Sequence, residues 1–245
     1  LLLLLFLIGF IGNIIGTLAG GGGLITLPTM LLIGMPVHSA IGANKVASAV
    51  SALSNFYSAL RHKEVTFTEA RPIALLCFIG GLLGGLIASL LSSKVLTIIA
   101  LCLLIFAFIL SFLGRTNFGE KIVLELKHRT RALLISVGIY DGMFGPGSGT
   151  LLLYIYANAG LSYMKAVVLG RVGVFATCFG AAITYIITGQ ILWMETLALM
   201  TGAIIGAQIG LLLSRKVSNK LASHLLRIIT VILIIQLAYD LLVLS

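Results

Sequence analysis

The sequence predicts an all-α polytopic membrane protein built from two inverted-topology repeats, each a glycine-broken re-entrant helix pair followed by three transmembrane helices. Three observations carry that prediction. The 245 residues are 60% hydrophobic and only 9% charged, with a mean hydropathy of +1.18, whereas a soluble domain carries about 25% charged residues to face water. Displaced by 126 positions, the chain matches itself at glycines and charges in one register. Gly12, Gly16, Gly21 and Gly23 fall on Gly138, Gly142, Gly147 and Gly149; Lys45 falls on Arg171 and Glu69 on Glu195; Gly80, Gly84 and Lys94 fall on Gly206, Gly210 and Lys220. Finally, the basic residues gather in a few short loops between apolar spans, where they act as topology signals.

Each repeat opens with an apolar run interrupted by glycine, Leu1–Gly34 and Thr130–Gly160. The stretch "TLAGGGGLITLP", Thr17 to Pro28, holds four consecutive glycines, each costing about 1 kcal/mol in a helix interior. The run is therefore expected to split into two short helices, the second beginning near Leu24, and "GPGSG" (Gly145–Gly149) is expected to split its counterpart near Thr150. Uninterrupted spans follow at Ser39–Leu60, Pro72–Leu91 and Val95–Leu113, and again at Lys165–Ile187, Leu197–Ser214 and Leu221–Leu244. Each is near the ~20 residues that cross a hydrocarbon core. The first repeat thus covers 1–113, a cytoplasmic linker 114–129 and the second repeat 130–245. The chain starts at Leu1 without a methionine, so residues upstream are expected. A truncated signal peptide is the competing reading of the first leucines, but no small-residue cleavage site follows them.

Charge decides how the broken runs lie. If each run enters, turns at its glycines and returns to the same side, eleven basic residues share one face: Arg61, Lys63 and Arg71; Arg115, Lys121, Lys127, Arg129 and Arg131; and Arg215, Lys216 and Lys220. Lys94 is then alone on the other. The positive-inside rule makes the basic face cytoplasmic. Each half then crosses an odd number of times, the second half is inverted, and both chain ends lie outside. The net charge of +9 is thereby a topology signal rather than a nucleic-acid footprint. Cys77, Cys102 and Cys178 are unclustered and read as small core residues, and His38, His62, His128 and His224 have no metal-ligand spacing. No cofactor or metal is expected; the expected partners are a small anion and the bilayer, with the oligomeric state open.

Interrupted helices in matching positions of two inverted halves mark a secondary transporter, and non-helical backbone at membrane depth survives only inside protein or along a wet cavity. The candidate substrate contacts are the two tips, Gly20, Gly21, Gly22 and Gly23 with Gly147, Ser148 and Gly149, where helix N-termini present free N–H groups to an anion. Tight helix packing is the plainer role for glycines; Gly80/Gly84 and Gly206/Gly210 have that spacing and are read as packing. Lys45 and Arg171 lie inside apolar spans at matching positions, where a charge usually faces a partner or a water-filled path, although both are near enough to a helix end to snorkel. With Asn44 as an extra donor, the two cations and two tips would form one electropositive site. Asp141, opposite Ile15 in the other repeat, is a candidate proton-coupling carboxylate, an ion-pair partner for Arg171, or a helix hydrogen-bonding group. Glu69 and Glu195 are expected at helix N-termini.

The stretch "GNIIGTLAGGGGLITLPTMLLIGMPVHSAIGANKVASAVSALSNF" and the looser copy after "GIYDGMFGPGSGTLLLY" resemble the TauE/SafE family of sulfite and organosulfonate exporters, over essentially the whole chain. The resemblance implies a transporter in a prokaryotic inner membrane for sulfur-containing or carboxylated anions such as sulfite, sulfoacetate or thiosulfate. The chain departs from the family pattern where many members carry asparagines after the second basic residue; Val174 and Cys178 stand there. The expectation is an exporter of a small anion by alternating access, and not an enzyme. An anion channel with the glycine tips as filter is the alternative. A serine protease centred on Ser148 would need a histidine base, and every histidine lies at a span edge or in a loop.

Overall fold

The structure, a computed structural model, describes residues 1–19, 23–113 and 118–213, and their regular structure is helical apart from one isolated bridge between Lys121 and Leu161. The first broken run forms α1 (Leu2–Ala19) and α2 (Gly23–Leu32); the three spans after it form α3 (Val37–Arg61), α4 (Phe67–Leu90) and α5 (Ser93–Leu113). The second broken run forms α6 (His128–Met143) and α7 (Ser148–Asn158), followed by α8 (Tyr163–Ile187) and α9 (Trp193–Leu213). The expected span Leu221–Leu244 and the loop residues Arg115, Arg215, Lys216 and Lys220 lie outside the described residues.

Expected and observed boundaries differ most at α4, which begins at Phe67 rather than Pro72. The reason is a capping box. The Thr66 hydroxyl accepts the Glu69 N–H (3.4 Å) and the Glu69 carboxylate accepts the Thr66 N–H (2.9 Å), satisfying two donors that a helix start leaves open. A hydropathy reading misses that polar first turn. Glu69 thus sits where the sequence placed it, and Glu195 lies in the first turn of α9.

Glycine sets how the helices meet. On α4, Gly80 and Gly84 face α6: a Cβ at Gly80 would come within 2.5 Å of the Ile135 carbonyl oxygen, and one at Gly84 would strike that of Ile139. Gly81 and Gly85 face α8 at Thr177 and Ala181. One helix thereby docks two others with backbones in near contact, which only small residues permit. In the same manner Gly202 and Gly206 of α9 lie against Phe6 and Phe10 of α1, and Gly210 against Ile14 and Thr17. The expected packing role of Gly80/Gly84 and Gly206/Gly210 is the one observed.

Polar contacts fix which ends meet. His38 Nε2, in the first turn of α3, lies 3.2 Å and 3.0 Å from the Ala88 and Leu91 carbonyl oxygens at the C-terminal end of α4. Lys165, in the first turn of α8, pairs with Glu69 at the N-terminal end of α4 (3.0 Å) and donates to the Glu64 carbonyl (3.3 Å). So α3 and α8 begin at opposite ends of α4. Lys165 is held at the start of α8 by this pair. Two apolar clusters divide the interior. Along α8 one holds Ala166–Ala176 members and the other Ala181 and Tyr185, with Thr177 and Cys178 between them.

Large apolar side chains face outward, among them Leu75, Ile79, Leu83, Leu86 and Leu90 on α4, while Lys45, Asp141, Asn44 and Thr177 are buried. That is the distribution of a chain surrounded by hydrocarbon, where ionisable groups turn inward. By length and composition α4 and α8 are long and apolar enough to cross a membrane.

Candidate functional site

The break between α6 and α7 explains why the second tip needs glycine. Phe144 ends α6, and Gly145 and Gly147 take positive φ of 98° and 79°, a region glycine enters without the strain a Cβ brings. At Gly145 space matters as much as φ, because a Cβ there would strike both the Asp141 carboxylate and the Lys45 ammonium. Tyr140 braces the turn by donating its hydroxyl to the Pro146 carbonyl. Ser148, the first residue of α7, is buried, and no side chain caps that helix. The Gly145 carbonyl takes the Ser148 N–H (3.0 Å) and the Gly147 carbonyl that of Leu151 (3.1 Å), which leaves the N–H groups of Gly149 and Thr150 as the ones a helix start leaves open; Gly147, Ser148 and Gly149 line a cavity of about 60 Å³.

Both halves of the chain build that cavity. Gly23, Asn44, Lys45 and Ser48 come from the first; Asp141, Gly145, Gly147, Ser148, Gly149, Val174 and Cys178 come from the second. Lys45 lies eight residues into α3, about 12 Å from its start at 1.5 Å per residue. Its Nζ donates to Asp141 Oδ1 at 2.9 Å, with the two side chains 1% and 3% exposed. The other carboxylate oxygen accepts the Thr177 hydroxyl and lies 3.8 Å from Cys178 Sγ. Asn44 is oriented by Thr26, whose hydroxyl donates to Asn44 Oδ1 at 2.6 Å. The amide nitrogen is thereby left toward Gly23 and the cavity. The wall combines a cation, an amide donor, a serine hydroxyl and helix N–H groups, the donors that oxyanions accept from.

Of the predicted contacts, Gly23, Asn44, Lys45, Gly147, Ser148 and Gly149 are brought together here, and Gly20, Gly21 and Gly22 lie outside the described residues. Two expectations are corrected. Arg171 does not line the cavity; it is half-buried on α8, one turn before Val174 on the stripe that continues to Cys178. And Asp141 pairs with Lys45 rather than Arg171, because α6 docks on α4 so that its last turn meets α3 and α8. The pair neutralises Lys45, where the two cations and two tips had been expected to form one electropositive site. Cys178 lines the cavity and Cys102 is exposed, so of the three cysteines Cys77 alone is the plain core residue expected.

Sequence reasoning missed Thr177, Thr26 and Ser48. A signal for Thr177 was present, since the same displacement that pairs Lys45 with Arg171 pairs Ser51 with Thr177, hydroxyl with hydroxyl. Nothing comparable marks Thr26, whose counterpart is Leu152.

A family model described as "Sulfite exporter TauE/SafE" matches residues 5–240. A protein of Haemophilus influenzae named "Probable membrane transporter protein" is 32% identical, covering 98% of this chain and 95% of its own length. "Probable membrane transporter protein ORF9" of a Sinorhizobium species is 33% identical over 98% of this chain and 93% of its own. "Probable membrane transporter protein YfcA" of Escherichia coli K12 is 27% identical over 98% and 90%. No solved structure matches.

Proposed function

This chain belongs to the sulfite exporter TauE/SafE family of membrane transporters, and we propose that it is a secondary transporter exporting a small anion, a sulfur oxyanion or organosulfonate of the sulfite, sulfoacetate and thiosulfate class. One observation carries the reading: a fully buried lysine on a small cavity whose wall is shared between the two halves, beside a helix N-terminus that no side chain caps. Lys45 is the direct ligand, with Asn44, Ser148 and the tip glycines as hydrogen-bond donors.

The mechanism is alternating access between two inverted repeats. In its support, the bounds of α3 displaced by 126 coincide with those of α8 (Val37–Arg61 and Tyr163–Ile187), and these two helices begin at opposite ends of α4. Apolar clusters close the interior on either side of Thr177 and Cys178, as an occluded carrier requires. Relative movement of the halves would open one cluster at a time and present Lys45 to one side of the membrane.

The membrane is the inner membrane of a prokaryotic cell, with the basic loops cytoplasmic and both termini outside. An impermeant maleimide applied to intact cells should label Lys94→Cys and spare Lys63→Cys; the reverse pattern refutes the orientation.

The direct test is flux into proteoliposomes of sulfite, thiosulfate, sulfoacetate and isethionate, beside a thermal-shift screen of the purified protein. A ligand at ~100 times its Kd stabilises by about 2.7 kcal/mol. Saturable flux with counterflow, lost in Lys45→Ala, is the expected result. Unsaturable conductance would mean a channel, and flux that survives Lys45→Ala would remove the site.

A further inference from the structure

The anion-transport reading, on which this inference rests, leaves open what else crosses with the anion. Lys45 and Asp141 are the charged side chains on the cavity wall among the described residues, and as a 2.9 Å pair they are together neutral. A monovalent anion added to that pair would leave a net negative charge beside two buried side chains, and an uncompensated buried charge is strongly unfavourable. Neutrality returns if Asp141 takes up a proton as the anion takes its place on Lys45. We propose that Asp141 and the transported anion are mutually exclusive counter-ions of Lys45, so that one proton on Asp141 accompanies each monovalent anion and the cycle is electroneutral.

The surroundings of Asp141 suit that exchange. Lys45 reaches it from α3, Thr177 and Cys178 from α8, and Cys77 on α4 and Tyr140 on its own helix feel its charge. Lys45 is the cation of the group; the rest are neutral when protonated. Thr177 holds Oδ2, so the side chain keeps its place when Oδ1 is protonated and Lys45 is released. On binding, one proton leaves water for Asp141 Oδ1 and one anion binds Lys45 Nζ. On release both leave on the opposite side and the ion pair re-forms, which lets the empty carrier return as a neutral body. In sum one H⁺ and one monovalent anion cross, and no charge does.

The test uses wild-type protein in liposomes holding a lumenal pH dye and a potential-sensitive dye. The probes are isethionate, which remains a monovalent anion throughout the working pH range, and sulfite, thiosulfate and sulfoacetate. A gradient of isethionate should carry protons in the same direction, one for one, without building a membrane potential, and a pH gradient alone should drive its uptake. Asp141→Asn should lose net flux and proton movement while retaining exchange that no longer depends on pH. Flux that builds a potential without moving protons overturns the coupling and leaves the transport reading intact, as does an Asp141→Asn variant with the wild-type pH profile. Absence of flux for all four probes overturns both.

Discussion

Lys45 and Arg171 occupy the same position in two copies of one pattern, yet one is buried against a carboxylate and the other is half-buried with no ion-pair partner among the described residues. The difference comes from α6. Where the first half has Ile15, the second has Asp141, and that carboxylate reaches across to the first half's cation. In the first half the corresponding hydroxyl, Ser51, donates instead to the Asn13 amide oxygen at 3.3 Å, a contact without charge. Positions that match in sequence therefore hold, among the described residues, one asymmetric ionic centre rather than two related sites. Position in a repeat predicts where a side chain sits, and its neighbours decide what it does.

The comparison can be broken most severely at Lys45. Lys45→Ala leaves a buried carboxylate unpaired, and thermal unfolding in detergent should show a loss of about 3–5 kcal/mol together with loss of flux. Removing both charges in Lys45→Met with Asp141→Asn should recover most of that stability while flux stays lost; failure to recover would mean that Lys45 is chiefly a packing residue. Next comes Gly145→Ala, where both the positive φ and the crowding against the ion pair resist a side chain. A destabilisation of about 1–3 kcal/mol and loss of the ligand-induced thermal shift are expected. Arg171→Ala, at a half-buried residue outside the cavity lining, should leave stability within about 0.5 kcal/mol and flux near that of the wild type. A stability loss as large as that of Lys45→Ala would make the two cations equivalent after all. The smallest effect belongs to Lys165→Ala at the partly exposed Glu69 pair, below about 1 kcal/mol and diminished by salt.

Much of the architecture was legible because hydrocarbon imposes crude, strong rules. Apolar length fixed the spans, glycine runs fixed the breaks between α1 and α2 and between α6 and α7, and the displacement found α8 from α3. The starts of α4 and α9 were read late, since Glu69 and Glu195 in their first turns look like loop residues in an apolar reading. At the site, Lys45, Asn44 and the second tip were legible as polar or conformationally special residues in apolar surroundings. The Lys45–Asp141 pair was not. It depends on the angle at which α6 lies against α4, which is set by near contact at Gly80, Gly84, Gly138 and Gly142, and no one-dimensional pattern states an angle. Thr26 was hidden for a related reason: a threonine in an apolar helix ordinarily bonds its own backbone, as Thr29 does to the Ile25 carbonyl.

The four glycines of α4 also bear on ancestry. They dock a helix of the first half onto α6 and α8 of the second, while α9 of the second half docks onto α1 and α3 of the first. Each half lends its fourth helix to the other, so neither half is a self-sufficient packing unit. A gene that ended before α6 would have yielded a chain with a bare glycine-lined face on α4, content only beside a partner that covered it. The fused chain then behaves as two strangers who have exchanged limbs. Cut in the linker and co-expressed, its halves should find each other, whereas either alone should be degraded.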